Sequence, residues 1–115
     1  MKKSVLSIVM GLALAGVSGI CAAAGEAPDA AQLEQGKVLF QSKAVPACAV
    51  CHTLQDAGTT GTIGPNLDEI KPDTARVLKA VKEGMGAMPS FAATLSEADM
   101  NAVAAYVAHA TGANK

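Results

Sequence analysis

Cys48, Cys51 and His52 are the residues of this 115-residue chain best suited to chemistry, and they stand together as Cys48-Ala49-Val50-Cys51-His52. Two thiols three residues apart can form a disulfide, hold a metal or bond covalently to a cofactor. Structural zinc needs four ligands, and the one other histidine, His109, lies far along the chain with no second ligand beside it. A dithiol redox pair belongs to a strand-to-helix junction in a βαβ pattern, and no such pattern surrounds Cys48. C-x-x-C-H is instead the attachment signal for haem c. The spacing lets each sulfur reach one vinyl group on the same porphyrin edge. His52 then falls beneath the ring with an imidazole nitrogen aimed at iron.

The third cysteine, Cys21, sits in a leader. Lys2 and Lys3 precede an apolar stretch from Val5 to Ile20, and Ala22-Ala23-Ala24 offers the small residues that signal peptidase inspects. This predicts a signal peptide over 1–24 cleaved after Ala24, a mature domain over 25–115, and a periplasmic location with no membrane insertion after cleavage. The uncharged run approaches the ~20 residues of a spanning helix. Against an anchor, Gly11, Gly16, Ser18 and Gly19 dilute its hydrophobicity and no basic stop-transfer cluster follows. Ile20 is too bulky for a lipid-modified Cys21.

Cleavage leaves 91 residues, which bury only a modest core and commonly need help from a cofactor or crosslink. Covalent haem supplies that help. The mature segment carries seven basic residues against ten acidic ones, a balance that argues against a nucleic-acid partner.

The elements that must position the motif are helical. Asp29 caps a helix through Gln32, Leu33, Gly36, Lys37, Leu39 and Phe40, with Leu33, Gly36 and Phe40 on one face. Glycine inside a helix costs about 1 kcal/mol relative to alanine, so Gly36 implies a close approach by another backbone. From Cys48 to Leu67 the periodicity lapses, and Gly58, Gly61, Gly64 and Pro65 punctuate what reads as loop. Pro72 and Asp73 open a further helix with Thr74, Val77, Leu78 and Val81 on its apolar face, ending at Gly84. A loop with Met85, Met88 and Pro89 follows. Ser96-Glu97-Ala98-Asp99 then caps a last helix with Met100, Val103 and Val107 on one stripe and Tyr106 beside it. No strand pair is expected. The fold class is all-α, three to five short helices joined by long loops, and loops of that length fit so small a domain if they wrap haem.

Taken together, the Gly36 to Phe40 helix, the haem motif, Gly64-Pro65-Asn66-Leu67, Gly84-Met85-Gly86-Ala87-Met88-Pro89 and the Tyr106-bearing helix resemble the class I cytochromes c from about Gly36 to Tyr106. The resemblance implies that the Pro65 carbonyl accepts a hydrogen bond from His52, that Leu67 packs on the haem face, and that Met88 is the distal iron ligand. Met85 is the alternative methionine, and His109 a further candidate, although a histidine near a helix end is ordinarily solvated. Gly36, Phe40 and Tyr106 correspond to the crossing of first and last helices. Lys71, Lys79 and Lys82 read as a solvated face, with a contribution to partner docking as the alternative. Unlike the family pattern, the chain has no tryptophan and no evident basic cluster for the haem propionates.

With both axial positions filled by protein, the expected function is single-electron transfer between redox proteins rather than catalysis. Such couriers use interfaces on the order of less than 1,200 Å² in total. Val45-Pro46-Ala47-Cys48, Thr53 to Gly58, Asp68 and Pro72 also resemble cytochrome subunits that accept electrons from molybdenum-containing sulfite dehydrogenases. The rival from another class is an open-site haem protein binding a small ligand or peroxide.

Overall fold

The computed structural model describes Gly16 and residues 27–114. The expected signal peptide, 1–24, lies outside the described residues apart from Gly16. In chain order the elements are α1 (Ala30–Val38), a π-helical turn (Leu39–Lys43), α2 (Cys48–Cys51), β1 (Thr53–Leu54), a 3-10 turn (Gln55–Ala57), β2 (Thr59–Thr60), α3 (Leu67–Ile70), α4 (Thr74–Glu83) and α5 (Glu97–Thr111). No helix among the described residues is long and apolar enough to cross a membrane.

The three longer helices begin where their capping residues predict. Asp29 accepts from the Gln32 N–H at 2.7 Å, Asp73 from Arg76 N–H at 2.8 Å, and Ser96 Oγ from Asp99 N–H at 3.1 Å. Each bond satisfies a first-turn donor that the helix leaves open. The end of α1 widens into the π turn, closed by Ala44 N–H donating to the Leu39 carbonyl at 3.1 Å. Leu39 and Phe40, in consecutive positions, are both buried there.

Helix α5 is the centre of the core. The expected stripe of Met100, Val103 and Val107 is buried, and so are Ala102, Ala104, Ala105, Tyr106 and Ala108. Alanine makes this possible, because a helix with methyl side chains lets neighbours approach from several directions at once. The closest approach is at Gly36. A Cβ built there stands 2.5 Å from Tyr106 Cβ and 2.8 Å from the Ala102 carbonyl carbon, so only glycine lets α1 cross α5 at this depth. Phe40 meets Tyr106 edge-on at the crossing, with ring centroids 6.2 Å apart and planes inclined by 65°.

Polar contacts tie the same crossing. Gln35 Nε2 donates to Asp99 at 2.7 Å, Tyr106 OH donates to Asp56 at 2.7 Å, and Lys37 Nζ stands 3.5 Å from the same Asp56 carboxylate. The Tyr106 hydrogen bond, with the Lys37 charge beside it, holds the Asp56 carboxyl below its ordinary range. A depressed carboxylate stabilises the fold above its unfolded pKa and loses that contribution as pH falls through the folded value. Acidification below about pH 4 is therefore expected to weaken the wild-type protein through Asp56. Tyr106→Phe removes this bond, and urea titrations are expected to show a loss of about 1 kcal/mol at pH 7 that shrinks towards pH 3. A loss independent of pH would assign the Tyr106 contribution to packing.

Helix α4 packs its Val77, Leu78 and Val81 face against this core, and Phe91 N–H donates to the Val81 carbonyl at 2.8 Å. Lys82, expected on a solvated face, keeps a partly exposed side chain there and forms an ion pair with Glu97 at the start of α5.

The expectation of no strand pair is corrected. β1 and β2 pair antiparallel, Thr53 opposite Thr60 and Leu54 opposite Thr59. The pair is held by a threonine side chain as well as by its ladder: Thr59 Oγ1 accepts from Leu54 N–H at 3.1 Å and donates to the His52 carbonyl at 2.8 Å. Two-residue strands carry too few positions for alternation to register, and this is why 48–67, read as loop, also contains α2 and the 3-10 turn. The fold remains helix-rich with one small two-stranded sheet.

Candidate functional site

Helix α2, the segment 63–72, helix α4, the loop 84–91 and the inner face of α5 enclose a cavity of about 340 Å³. That is within the roughly 300–1,000 Å³ range of ligand pockets. Phe40, Leu67, Val81, Phe91, Val103 and Val107 contribute apolar wall. Cys48, Cys51, His52, Pro65, Leu67 and Met88, chosen from sequence far apart, all line this one cavity.

His52 is positioned by its neighbours on three sides. Its backbone N–H donates to the Cys48 carbonyl at 2.9 Å, closing the single turn of α2, and its carbonyl accepts from Thr59. Its ring Nδ1 lies 2.8 Å from the Pro65 carbonyl oxygen. A carbonyl only accepts, so Nδ1 carries a proton, and in the neutral tautomer this fixes the lone pair on Nε2. No described residue hydrogen-bonds Nε2.

The segment carrying Pro65 is drawn in by Gly64 N–H, which donates to the Cys51 carbonyl at 2.7 Å. A Cβ at Gly64 would stand 2.5 Å from His52 Cε1 and 2.9 Å from Nδ1. Glycine is required here because the imidazole occupies the place of its side chain.

Both cysteines are free and partly buried. Burial pushes the Cys48 thiol up to about 11, so at neutral pH it is a protonated thiol rather than a metal-binding thiolate.

The two methionines differ in setting. Met85 and Met88 exchange backbone hydrogen bonds at 2.9 Å each way, closing a tight turn. Met88 is half-buried and packs against the core, whereas Met85 is 65% exposed at the cavity edge. His109 is exposed and does not reach the cavity.

Phe91 and Arg76 also line the cavity and were not singled out by sequence. Phe91 follows the methionine loop at a position without periodic context. Arg76 had a signal, being the sole arginine of the chain.

A family profile described as "Cytochrome C oxidase, cbb3-type, subunit III" matches residues 31–107, about two thirds of the chain. The chain belongs to the class I c-type cytochromes. It is 34% identical over 86 residues to cytochrome c6 of Synechocystis sp. (strain ATCC 27184 / PCC 6803 / Kazusa), a match spanning 68% of this chain and 65% of that protein's length. Among solved structures, the c-type cytochrome SorU from Sinorhizobium meliloti superposes with a TM-score of 0.71 at 44% identity, covering 73% of this chain and 95% of that one. Membership of this cytochrome family implies haem c, with its iron, as cofactor. The lining residues fit that group: two free thiols three residues apart, an imidazole whose Nε2 has no hydrogen-bond partner among the described residues, a half-buried thioether and mostly apolar walls.

Proposed function

We propose that the chain is an exported one-electron carrier whose mature form, 25–115, holds a single haem c through Cys48 and Cys51 with His52 and Met88 as axial ligands. The observation that carries this reading is the His52 Nδ1 to Pro65 hydrogen bond, because it leaves Nε2 as the nitrogen for iron. Cys48 and Cys51, both free thiols in the cavity wall, would hold the haem, one through each of its vinyl groups. Haem iron, cycling between ferrous and ferric, supplies the one-electron chemistry.

The protein's own residues orient and enclose. Pro65 orients the His52 ring, Leu67 would pack against the haem, and the Met85–Met88 turn would present the Met88 sulfur to it. Phe40, Phe91, Val103 and Val107 give the cavity an apolar wall, which would favour a closed haem site over an open one.

The ferric protein is expected to show the weak near-infrared sulfur-to-iron band and a reversible one-electron titration. A high-spin ferric spectrum without that band would support the open-site reading. A second reading, service as the electron-accepting subunit of a molybdenum-containing sulfite dehydrogenase, is favoured by the resemblance at Val45 to Cys48, Thr53 to Gly58, Asp68 and Pro72. Purification from the native source separates the two: a stable complex with a molybdoenzyme supports it, and a lone monomer supports a free shuttle between redox proteins.

Gly64→Ala tests the positioning of His52. Displacing a group that orients a metal ligand typically costs 10–100-fold in metal affinity. The variant is expected to bind iron through His52 at least about tenfold more weakly, seen as a mixed-spin spectrum at equal haem content. An unaltered spectrum would show that the ring tolerates the added methyl group.

A further inference from the structure

We infer that Arg76 binds the propionate carboxylates of the haem at the solvent edge of the cavity, an inference that rests on the haem reading above. Among the described residues, Arg76 is the one permanently charged side chain in the cavity wall; the other titratable groups there are Cys48, Cys51 and His52. It is exposed, so it marks where the apolar wall meets water. Among the described residues its guanidinium has no carboxylate within 4.0 Å and no hydrogen-bond acceptor.

Helix stability does not explain its place. Arg76 lies in the first turn of α4, where the helix's positive end disfavours a cation. The nearby Asp73 carboxylate bonds the Arg76 backbone N–H at 2.8 Å instead of the guanidinium. Nor do the described lysines compete for the role: Lys37 pairs with Asp56, Lys82 pairs with Glu97, and Lys43, Lys71 and Lys79 do not line the cavity.

Haem brings two carboxylates into this otherwise uncharged enclosure, and they need a counter-charge where the porphyrin reaches solvent. A guanidinium offers a rigid fork of donors that matches a carboxylate in two parallel bonds. Arg76 supplies that fork from α4, next to Pro72, Val77 and Ala80.

The test is the reduction potential of haem-loaded Arg76→Leu, Arg76→Gln and Arg76→Lys measured from about pH 5 to pH 8, the range into which an unpaired, partly buried carboxyl is raised. The neutral variants are expected to have a lower potential than wild type at pH 7, because an uncompensated carboxylate favours ferric iron. Their potential is also expected to fall with rising pH, with a slope the wild type lacks as the released propionate ionises. Arg76→Lys is expected to restore most of both. Lys79→Leu, on the same helix but away from the cavity, is expected to leave both unchanged. If Arg76→Leu is not recovered with haem, Arg76→Gln gives the same reading. Loaded neutral variants with wild-type potential and pH profile would overturn the assignment of Arg76 alone, whereas wild-type protein lacking covalent haem would overturn it together with the haem reading.

Discussion

Met88→Ala is expected to abolish the near-infrared sulfur-to-iron band, turn the ferric haem high-spin, and lower the reduction potential by an appreciable part of the ~0.8 V that axial ligation spans. The thioether is a soft ligand that favours ferrous iron, so removing it shifts the couple towards the ferric state. Alanine leaves the Met85–Met88 backbone hydrogen bonds in place, so the loop keeps its shape and the change reports on the ligand itself. Met85→Ala is the paired control. Met85 is 65% exposed whereas Met88 is half-buried against the core, and its removal is expected to leave the band and the potential near wild type. Loss of the band in Met85→Ala and its survival in Met88→Ala would exchange the two roles.

The largest expected effect on stability is at the helix crossing. In Gly36→Val the new side chain meets the Ala102 carbonyl and Tyr106 Cβ, backbone and near-backbone atoms that cannot rotate away. Overpacking typically costs 1–3 kcal/mol, and a clash with backbone belongs at or above the top of that range, so a loss of about 3 kcal/mol or more is expected in urea unfolding. Against a total of roughly 5–15 kcal/mol for a domain, this leaves a fold that loses α1 first. Gly36→Ala is expected to fall between wild type and Gly36→Val. A Gly36→Val protein that unfolds at the wild-type urea concentration would mean that α1 crosses α5 elsewhere.

What the sequence made legible were features with a strong local cause. Asp29, Asp73 and Ser96 announced their helices because a capping side chain acts within three residues. Gly36 announced a close contact because nothing else justifies glycine inside a helix, though not that the partner atoms belong to Ala102 and Tyr106. Cys48, Cys51, His52, Pro65, Leu67 and Met88 were named before the cavity that gathers them, the first three through their spacing and the last three through family resemblance.

What stayed hidden depends on contacts between distant segments. The two-residue strands exist because Thr59 bonds back to His52 and Leu54, and no periodicity encodes that. The burial of α5 on nearly every side was masked by its alanines, which carry little pattern of their own. Asp56 as partner of Tyr106 spans 50 positions, and Lys82 as partner of Glu97 spans 15. Arg76 was visible as the sole arginine, yet only the shape of the cavity wall gives it a role.

The most direct test of the account is the intact mass of the denatured protein purified from its native source, measured alongside alkylation of free thiols. Residues 25–115 plus the mass of one haem, with neither Cys48 nor Cys51 alkylated, is the predicted result. A mature chain at its bare polypeptide mass, with both cysteines open to alkylation, would contradict it.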